Sequence, residues 1–329
     1  MYELLLKLRE QDGSGRQVIV LPAWTCYTVA AAAIKAGLTL RLYDMHPADL
    51  TADMDSLRAA VGDDTLAVVS QHLFGLPADV EDIQQIAQQA GCWHIEDAAQ
   101  AFGSEVSGRT VGTTGDFGLY SFGRGKALAV GGGGALVTAQ DIDLPAHPAT
   151  AGTLRDMAKT VITAIASHPL CYGMMETLPL GLGETHFDTS FEPAALSPYL
   201  SRLAVSSLQR LAELQAHRAT IAEVYHRHID VETRLMQDGM KGNVTRYPVL
   251  ASTLPIPQPL YRAGARRMYP AALIDVEEVN PHIAADQQPV SGSQRIAREL
   301  ITLPTHRRIS PQLATEISSR LNDWLATSA

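Results

Sequence analysis

Apolar residues in the first half of the chain follow two alternating patterns. Short, continuous apolar runs predict strands, and stretches with apolar residues three and four positions apart predict helices. The predicted strands span 18–21, 38–43, 66–71, 92–95, 117–122 and 135–138, and the predicted helices span 2–10, 23–37, 54–61 and 80–90. Because the strand runs are continuous, we expect an α/β fold with a mostly parallel sheet covered by helices on both sides.

The second half of the chain begins with a longer helical pattern. One amphipathic helix is predicted from 197 to 229, because apolar residues recur there mostly at three- and four-residue spacing. These residues are Leu200, Leu203, Val205, Leu208, Leu211, Leu214 and Ile221. Strands are predicted at 244–250, 268–274 and 300–303, and a terminal helix at 311–325.

The region between the two halves is less regular. A helix is predicted around 150–165, followed by the run 167–187, which is rich in Pro, Gly, Met and aromatic residues. Compact domains rarely contain so long an irregular segment without a purpose. We interpret it as a substrate-side or dimer-contact insertion, since few basic residues flank it to support a membrane-touching loop.

Composition narrows the functional class. A chain of 329 residues is long for one core and predicts a large and a small domain. The net charge of −9 and the pI near 5.6 argue against a nucleic-acid binder. The three cysteines lack metal spacing, and the N-terminus is neither a signal peptide nor a spanning helix. We therefore expect a cytoplasmic protein without a metal site or a membrane partner.

The chemistry of the chain is concentrated between Trp93 and Thr138. One predicted strand ends in the acids Glu96 and Asp97, and another is followed by Lys126, which lies among glycines. A buried lysine is suited to forming Schiff bases, and an aspartate at a strand end is suited to the ring nitrogen of pyridoxal 5'-phosphate (PLP). Taken singly, Lys126 could be an ordinary loop lysine and Asp97 a helix N-cap. Together they favour a PLP site.

Two other types of glycine-rich binding motif do not match the residues of this stretch. A phosphate-binding P-loop requires Ser or Thr after its lysine, but Ala127 follows Lys126. A dinucleotide fingerprint beginning at Gly123 would need its third glycine where Leu128 stands. A nicotinamide dehydrogenase is therefore the weaker hypothesis.

The same stretch resembles the DegT/DnrJ/StrS family of PLP-dependent sugar aminotransferases, within the aspartate aminotransferase fold type I. The resemblance is carried by IEDAAQA (95–101), by GD-G-YSF (115–122), by the lysine five positions after Ser121, and by GGGGALVT (131–138). It implies that Asp97 pairs with the pyridine nitrogen, Gln100 lies beside the ring oxygen, Ser121 binds the phosphate, and Lys126 carries the internal aldimine. It also implies a cofactor-binding domain at 1–196, and a linking helix with a smaller C-terminal α+β domain at 197–329.

Further site residues follow from the resemblance at lower specificity. Trp24 and Tyr27 are candidates for the ring that stacks on the cofactor, because the position aligned with the usual aromatic holds Cys26. His72 matches the family's H-L-[YF]-G, as a substrate contact or as a cap of its loop. His306 lies in TLPTHRRIS, which resembles the family's LP-x-H segment.

Two parts of the family pattern are missing from this chain. Family members begin with an arm and a Gly-Ser/Thr loop that binds the phosphate, whereas this sequence starts at Met1 inside the following helix. We expect the true start to lie upstream. The Gly-Tyr-Asn loop that usually reaches the partner's site is replaced by HFDTSFEPAALSP, which has no Asn.

These residues lead to two functional hypotheses. The first is an aminotransferase that moves an amino group from an amino acid to a keto-sugar, which the resemblance implies is nucleotide-linked. Lys126 favours this reaction, because family relatives that dehydrate sugars have histidine in its place. The alternative is a catalytically impaired relative that binds or scaffolds. A homodimer is expected, since fold type I sites lie at subunit interfaces.

Overall fold

The structure is a computed structural model that describes most of the chain. The described residues are 1–78, 80–147, 156–158, 160–162, 187–230, 232, 234–236, 243–251 and 255–327. The predicted irregular segment 167–187 lies outside them except for Phe187. Of the predicted helix at 150–165, residues 156–158 and 160–162 are described, and these are helical.

A six-stranded sheet organises the first half of the chain, in the order β2-β1-β3-β4-β7-β8. Its strands are β1 (Val18–Pro22), β2 (Thr39–Tyr43), β3 (Thr65–Gln71), β4 (Trp93–Asp97), β7 (Phe117–Ser121) and β8 (Gly134–Thr138). All neighbours pair in parallel except β7 and β8. A small hairpin of β5 (Glu105–Val106) and β6 (Arg109–Thr110) lies between β4 and β7 in sequence. The predicted α/β class is confirmed.

Helices flank this sheet close to their predicted positions. They are α1 (Tyr2–Gln11), α2 (Tyr27–Lys35), α3 (Met54–Ala60) and α4 (Val80–Ala90). The predicted helix at 23–37 starts late, at Tyr27, because the preceding residues bind the sheet edge instead. Ala23 N donates to Tyr43 O (2.9 Å), and Gln71 Nε2 donates to Trp24 O (2.8 Å).

The prediction of one long helix from 197 to 229 is wrong. The chain forms α5 (Pro198–Leu208) and α6 (Leu211–His228), with a break at Gln209 and Arg210. The two helices bury residues in different cores, Leu200 of α5 beside Tyr120 and Ile221 of α6 beside Tyr225. Two of the predicted apolar positions are solvent-exposed, Val205 to 66% and Leu208 to 43%.

The remaining elements form a two-stranded antiparallel sheet with helices around it. The strands are β9 (Arg246–Leu250) and β10 (Leu300–Pro304), and the helices are α7 (Gln258–Arg262), α8 (Ser291–Glu299) and α9 (Pro311–Ala326). Short 3-10 turns occur at Leu73–Gly75, Leu273–Asp275 and Asn280–His282.

The predicted strand at 268–274 is also wrong. Its backbone groups bind the loop after β1 and the start of α2 rather than a neighbouring strand. Trp24 Nε1 donates to Tyr269 O (2.9 Å), Leu273 N donates to Ala23 O (2.7 Å), and Ala271 N donates to Tyr27 Oη (2.9 Å). This segment therefore carries the late part of the chain onto the edge of the large sheet.

Two main apolar cores result from this arrangement. The larger one joins residues of the sheet, such as Ile19 and Ile95, to late residues such as Leu273 and Ile296. The other is built from α6, α9, β9 and β10, around Tyr225, Tyr247 and Leu321. None of the helices among the described residues is long and apolar enough to cross a bilayer.

Candidate functional site

The candidate site lies at the carboxyl edge of the large sheet. Gln71 at the end of β3 is in register with Asp97 at the end of β4, and Asp97 is in register with Leu119 of β7. The residues that follow these strands therefore come out at one edge, although they are far apart in sequence. Such an edge is where open α/β sheets bind ligands.

Asp97 is half-buried. Among the described residues, its carboxylate accepts one hydrogen bond, from Ala99 N (3.0 Å), and no helix follows, so it is not a helix N-cap. Burial raises the pKa of the Tyr43 phenol well above its ordinary value, and the charge of Asp97 adds to that effect. The carboxylate retains acceptor positions for a ligand.

Gln100 is held in one orientation by its two amide atoms. Its Oε1 accepts from Phe74 N (3.0 Å), which can only donate, so the Nε2 must face Tyr269 Oη (3.0 Å). An amide nitrogen has two hydrogens, and the second stays available for an acceptor.

Ser121 and Lys126 follow β7 on a glycine-rich turn. Ser121 Oγ accepts from Gly123 N (3.3 Å), and Lys126 N donates to Gly123 O (3.3 Å). Lys126 is half-buried, and none of the described residues forms a hydrogen bond or ion pair with its Nζ. An amine without a protein partner is free to react.

Arg218 of α6 holds the loop that carries Lys126. Its guanidinium donates to Lys126 O (3.4 Å), to Ala127 O (3.0 Å) and to Asn243 Oδ1 (2.8 Å). Burial lowers the pKa of Arg218 from its ordinary value. Within the described part of the chain it forms no ion pair, so its charge is compensated by these oxygens.

The aromatic candidates after β1 pack into the protein. Trp24 is fully buried between Phe74 and Tyr269, with ring centroids 6.3 and 5.3 Å away. Tyr27 Oη donates to Ala271 O (3.1 Å). Cys26 between them is partly exposed, and its Sγ lies 3.0 Å from Thr28 Oγ1.

His72 is fully buried, and both of its ring nitrogens are bound. Nδ1 accepts from Ala78 N (3.0 Å), so the hydrogen is on Nε2, which donates to Glu96 Oε2 (3.0 Å). With no nitrogen left for a substrate, the contacts support loop capping among the two roles considered for His72.

His306 lies on the surface, on the loop between β10 and α9. Its carbonyl accepts from His217 Nε2 (3.2 Å), and His217 precedes Arg218 in sequence. Among the described residues, hydrogen bonds link His306 to the Lys126 loop through His217 and Arg218 of α6.

Two residues near this edge, Arg218 and Tyr269, were not predicted, because no sequence pattern marks them as site residues. Arg218 occurs among the charged residues of an amphipathic helix, and Tyr269 in a segment whose apolar run predicts a strand. Only the folded chain brings them to Lys126 and Gln100, from 92 and 169 residues away in sequence.

The segment that forms the large sheet is similar to known proteins. Residues 3–147 match the DegT/DnrJ/EryC1/StrS aminotransferase family model. This segment, which is a little under half of the chain, is therefore similar to the DegT/DnrJ/EryC1/StrS aminotransferase family. All strands of the large sheet and the loop of Lys126 fall inside the matched residues.

Two curated relatives give the family match more detail. One is a UDP-N-acetyl-3-dehydro-alpha-D-glucosamine 3-aminotransferase of Acidithiobacillus ferrooxidans, 37% identical over 43% of this chain and 38% of that protein. The other is an L-glutamine:2-deoxy-scyllo-inosose aminotransferase of Streptomyces kanamyceticus, 36% identical over 40% of this chain and 30% of that protein. The matched segments thus span 38% and 30% of the lengths of these two relatives.

Solved structures of the family agree over nearly the whole chain. A DegT DnrJ EryC1 StrS aminotransferase from Brucella abortus has a TM-score of 0.73 at 19% identity, covering 98% of this chain and 84% of that one. Helicobacter pylori PseC, an aminotransferase of pseudoaminic acid biosynthesis, has a TM-score of 0.72 at 19% identity, covering 99% and 85%. At this identity the likeness shows the fold of these aminotransferases.

Proposed function

We propose that the protein is a PLP-dependent aminotransferase that moves an amino group from an amino acid to a keto-sugar. The proposal rests on one observation above all: Asp97 and Lys126 follow neighbouring strands at the same sheet edge, and Gln100 beside them keeps one amide hydrogen free. The family match over residues 3–147 and the names of the two relatives support the same reaction class.

The residues present fit PLP. The ring nitrogen needs an acid, and the Asp97 carboxylate has acceptor positions to which none of the described residues donates a hydrogen bond. The ring oxygen needs a donor, which the second Gln100 Nε2 hydrogen supplies. Ser121 Oγ already accepts from Gly123 N, so its own hydrogen can be donated to a phosphate oxygen. Lys126 Nζ supplies the amine that binds the aldehyde.

Each residue then has a defined role. When bound, PLP supplies the electron sink that stabilises negative charge at the α-carbon of the amino acid. Asp97 keeps the proton on the ring nitrogen, and Gln100 and Ser121 orient the ring and the phosphate. Lys126 Nζ would take the proton from the α-carbon of the amino acid and, as a general acid, deliver it to the cofactor. Arg218 keeps the Lys126 loop in place during these proton transfers.

The substrate proposal comes from the relatives. Their printed names refer to a UDP-linked dehydro-sugar and to a cyclic ketone, scyllo-inosose. We extend this to a nucleotide-linked keto-sugar as acceptor for this chain. A homodimer and a cytoplasmic location complete the proposal.

Borohydride reduction tests the reactive amine directly. The full-length protein is incubated with PLP, reduced, digested and mapped by mass spectrometry. We expect the pyridoxyl label on Lys126, and its loss in Lys126→Ala. Lys35→Arg is the matched control, because Lys35 is also half-buried but binds Phe191 O away from the site. In Lys35→Arg the pyridoxyl label on Lys126 should be unchanged.

Two results would contradict the proposal. A label on another lysine would remove Lys126 from its role. A protein that stays colourless with added PLP and takes no label would instead favour the binding or scaffold alternative.

A further inference from the structure

Tyr269 lies at the junction between the late part of the chain and the candidate site. Its side chain is buried, with 4% of its surface exposed, and packs edge-on to Trp24 at 5.3 Å between ring centroids. It also contacts Tyr27, at 6.2 Å. Its carbonyl accepts from Trp24 Nε1 (2.9 Å), so both its backbone and its ring are fixed against the loop after β1.

The Tyr269 hydroxyl continues a directed chain of hydrogen bonds. Phe74 N donates to Gln100 Oε1, and Gln100 Nε2 donates to Tyr269 Oη. Because the Gln100 amide is bound at both its oxygen and its nitrogen, the Tyr269 hydroxyl helps to fix where the free hydrogen of Gln100 points.

The surroundings keep this phenol neutral. Burial raises the pKa of Tyr269 well above its ordinary value, and the neighbouring Cys26 and Asp97 add to the effect. A neutral phenol stays an acceptor for Gln100 over the whole physiological pH range.

The backbone of Tyr269 is unusual as well. Its φ of 48° lies in the left-handed region, which a bulky residue other than glycine rarely adopts. Such a conformation persists only where the surroundings enforce it, and it is concentrated at functional sites. The two hydrogen bonds and the two ring contacts of Tyr269 are the enforcing contacts.

We propose that Tyr269 is a positioning residue of the cofactor site, which acts by holding the Gln100 amide in its ligand-binding orientation. The inference rests on the proposed PLP function. It adds a residue from the late part of the chain to a site otherwise formed by the large sheet. Tyr269 acts through Gln100 and is not itself placed against the reacting atoms.

A double-mutant cycle on cofactor binding tests this inference without any turnover. PLP is titrated into the full-length unaltered protein, Tyr269→Phe, Gln100→Leu and the double variant, and binding is followed by visible absorption. Tyr269→Phe keeps the ring and removes one hydrogen bond, so we expect roughly two- to tenfold weaker PLP binding. The double variant should bind no more weakly than Gln100→Leu, because the hydroxyl acts only through that amide.

The visible absorption of bound PLP adds a signature that a structural role alone would not change. We expect Tyr269→Phe to shift the absorption maximum in the same direction as Gln100→Leu. The matched control is Tyr225→Phe, another buried tyrosine that loses a hydroxyl hydrogen bond, to Pro304 O (3.0 Å), in the other core. It should lower the melting temperature and leave both the PLP affinity and the absorption maximum unchanged.

Failure of the inference about Tyr269 can be distinguished from failure of the proposed function. Equal PLP affinity and absorption in Tyr269→Phe and the unaltered protein would overturn the inference, as would affinity losses that multiply in the double variant. Failure of the unaltered protein to bind PLP would overturn the proposed function and the inference with it. Should Tyr269→Phe not fold, Tyr269→Met removes the same hydroxyl and fills part of the buried space, and an unchanged PLP affinity there would overturn the inference.

Discussion

At the scale of single residues, the two neighbouring acids of β4 have opposite surroundings. Adjacent side chains of a strand point to opposite faces. Glu96 is fully buried and accepts from His72, Gly112 N and Thr114 N, whereas Asp97 faces the site. Burial would raise the pKa of Glu96, but the hydrogen bonds from His72 and the backbone outweigh it and lower the pKa. Glu96 thus fixes the loops around the site while Asp97 stays available to a ligand.

The buried imidazole of His94 makes stability depend on pH. Its ring nitrogens bind Gln84 Oε1 (2.7 Å) and Ser70 Oγ (2.8 Å), and burial lowers its pKa to about 4 from an ordinary 6.5. Between these values the unfolded chain binds a proton that the folded chain does not. The free energy of unfolding should therefore fall by about 2 kcal/mol as the pH decreases from 7 to 5.

Urea unfolding at several pH values measures this dependence. His94→Gln should flatten it over the same range, whatever its effect on stability at pH 7. His282→Gln, at an exposed histidine, should leave the slope unchanged. An equal slope in His94→Gln and the unaltered protein would show that His94 is not the responsible group.

The sequence predicted only part of the site at this scale. Asp97 ends β4 and Lys126 lies five residues after the end of β7, so local patterns and glycine spacing indicate them. The position of Tyr269 at the site depends on a backbone path that no local pattern encodes, since the apolar residues of its segment predict a strand. The orientation of Gln100 likewise depends on Phe74 and Tyr269, which are distant from each other in sequence.

At the scale of elements, helix α8 is capped by a residue from the other end of the chain. Asp44, directly after β2, accepts from Gly292 N (2.9 Å) and Ser293 N (2.6 Å) in the first turn of α8. A Cβ on Gly292 would lie 2.1 Å from Met45 O, so this close approach requires glycine. No sequence pattern reveals a cap supplied from so far away.

Removing that cap should cost stability. Asp44→Ala is expected to lower the free energy of unfolding by about 2 kcal/mol, and Asp44→Asn, which keeps an acceptor, by about 1 kcal/mol. Urea denaturation at pH 7 measures both. Asp53→Ala, which removes the local cap of α3, provides the comparison and should cost about 1 kcal/mol. A loss below about 0.5 kcal/mol for Asp44→Ala would contradict the capping role.

Helix α6 is expected to act on the site through Arg218. Arg218→Met would leave Lys126 O, Ala127 O and Asn243 Oδ1 without their donor, and should slow the labelling of Lys126 by PLP and borohydride roughly tenfold. Arg218→Lys should recover only part of the rate, since one ammonium cannot reproduce the fork. Arg227→Met, on the exposed face of α6, is the matched control. Labelling rates equal to the control would rule out this role.

The break between α5 and α6 shows where helix prediction stops. Apolar spacing continues across Gln209 and Arg210, so periodicity alone gives one helix. The helix is nevertheless interrupted there, and α5 and α6 pack against separate cores. Tertiary packing decides the boundary, and it cannot be read from spacing.

At the scale of the whole molecule, the late chain and the large sheet share one core. Leu273 and Ile296 pack with Ile19 and Ile95, and residues 269–273 hydrogen-bond the chain at 23–27. The α/β class and most of the strands of this sheet were predictable from continuous apolar runs. The division at 1–196 and 197–329 stays a prediction, and the shared core makes its two parts interdependent.

Cofactor binding should therefore stabilise distant elements. A ligand at a hundred times its dissociation constant adds about 2.7 kcal/mol to the free energy of unfolding. Slowly exchanging amides of β3 should gain this protection with PLP, and so should those of β10 and α9, whose buried residues Leu303 and Leu321 belong to the other core. Hydrogen exchange measured by mass spectrometry follows both regions in one experiment. Lys126→Ala is the control, and its amides should gain little protection when PLP is added. If protection rises in β3 while β10 and α9 exchange as before, the two parts unfold independently, and the contacts of 269–273 do not couple them.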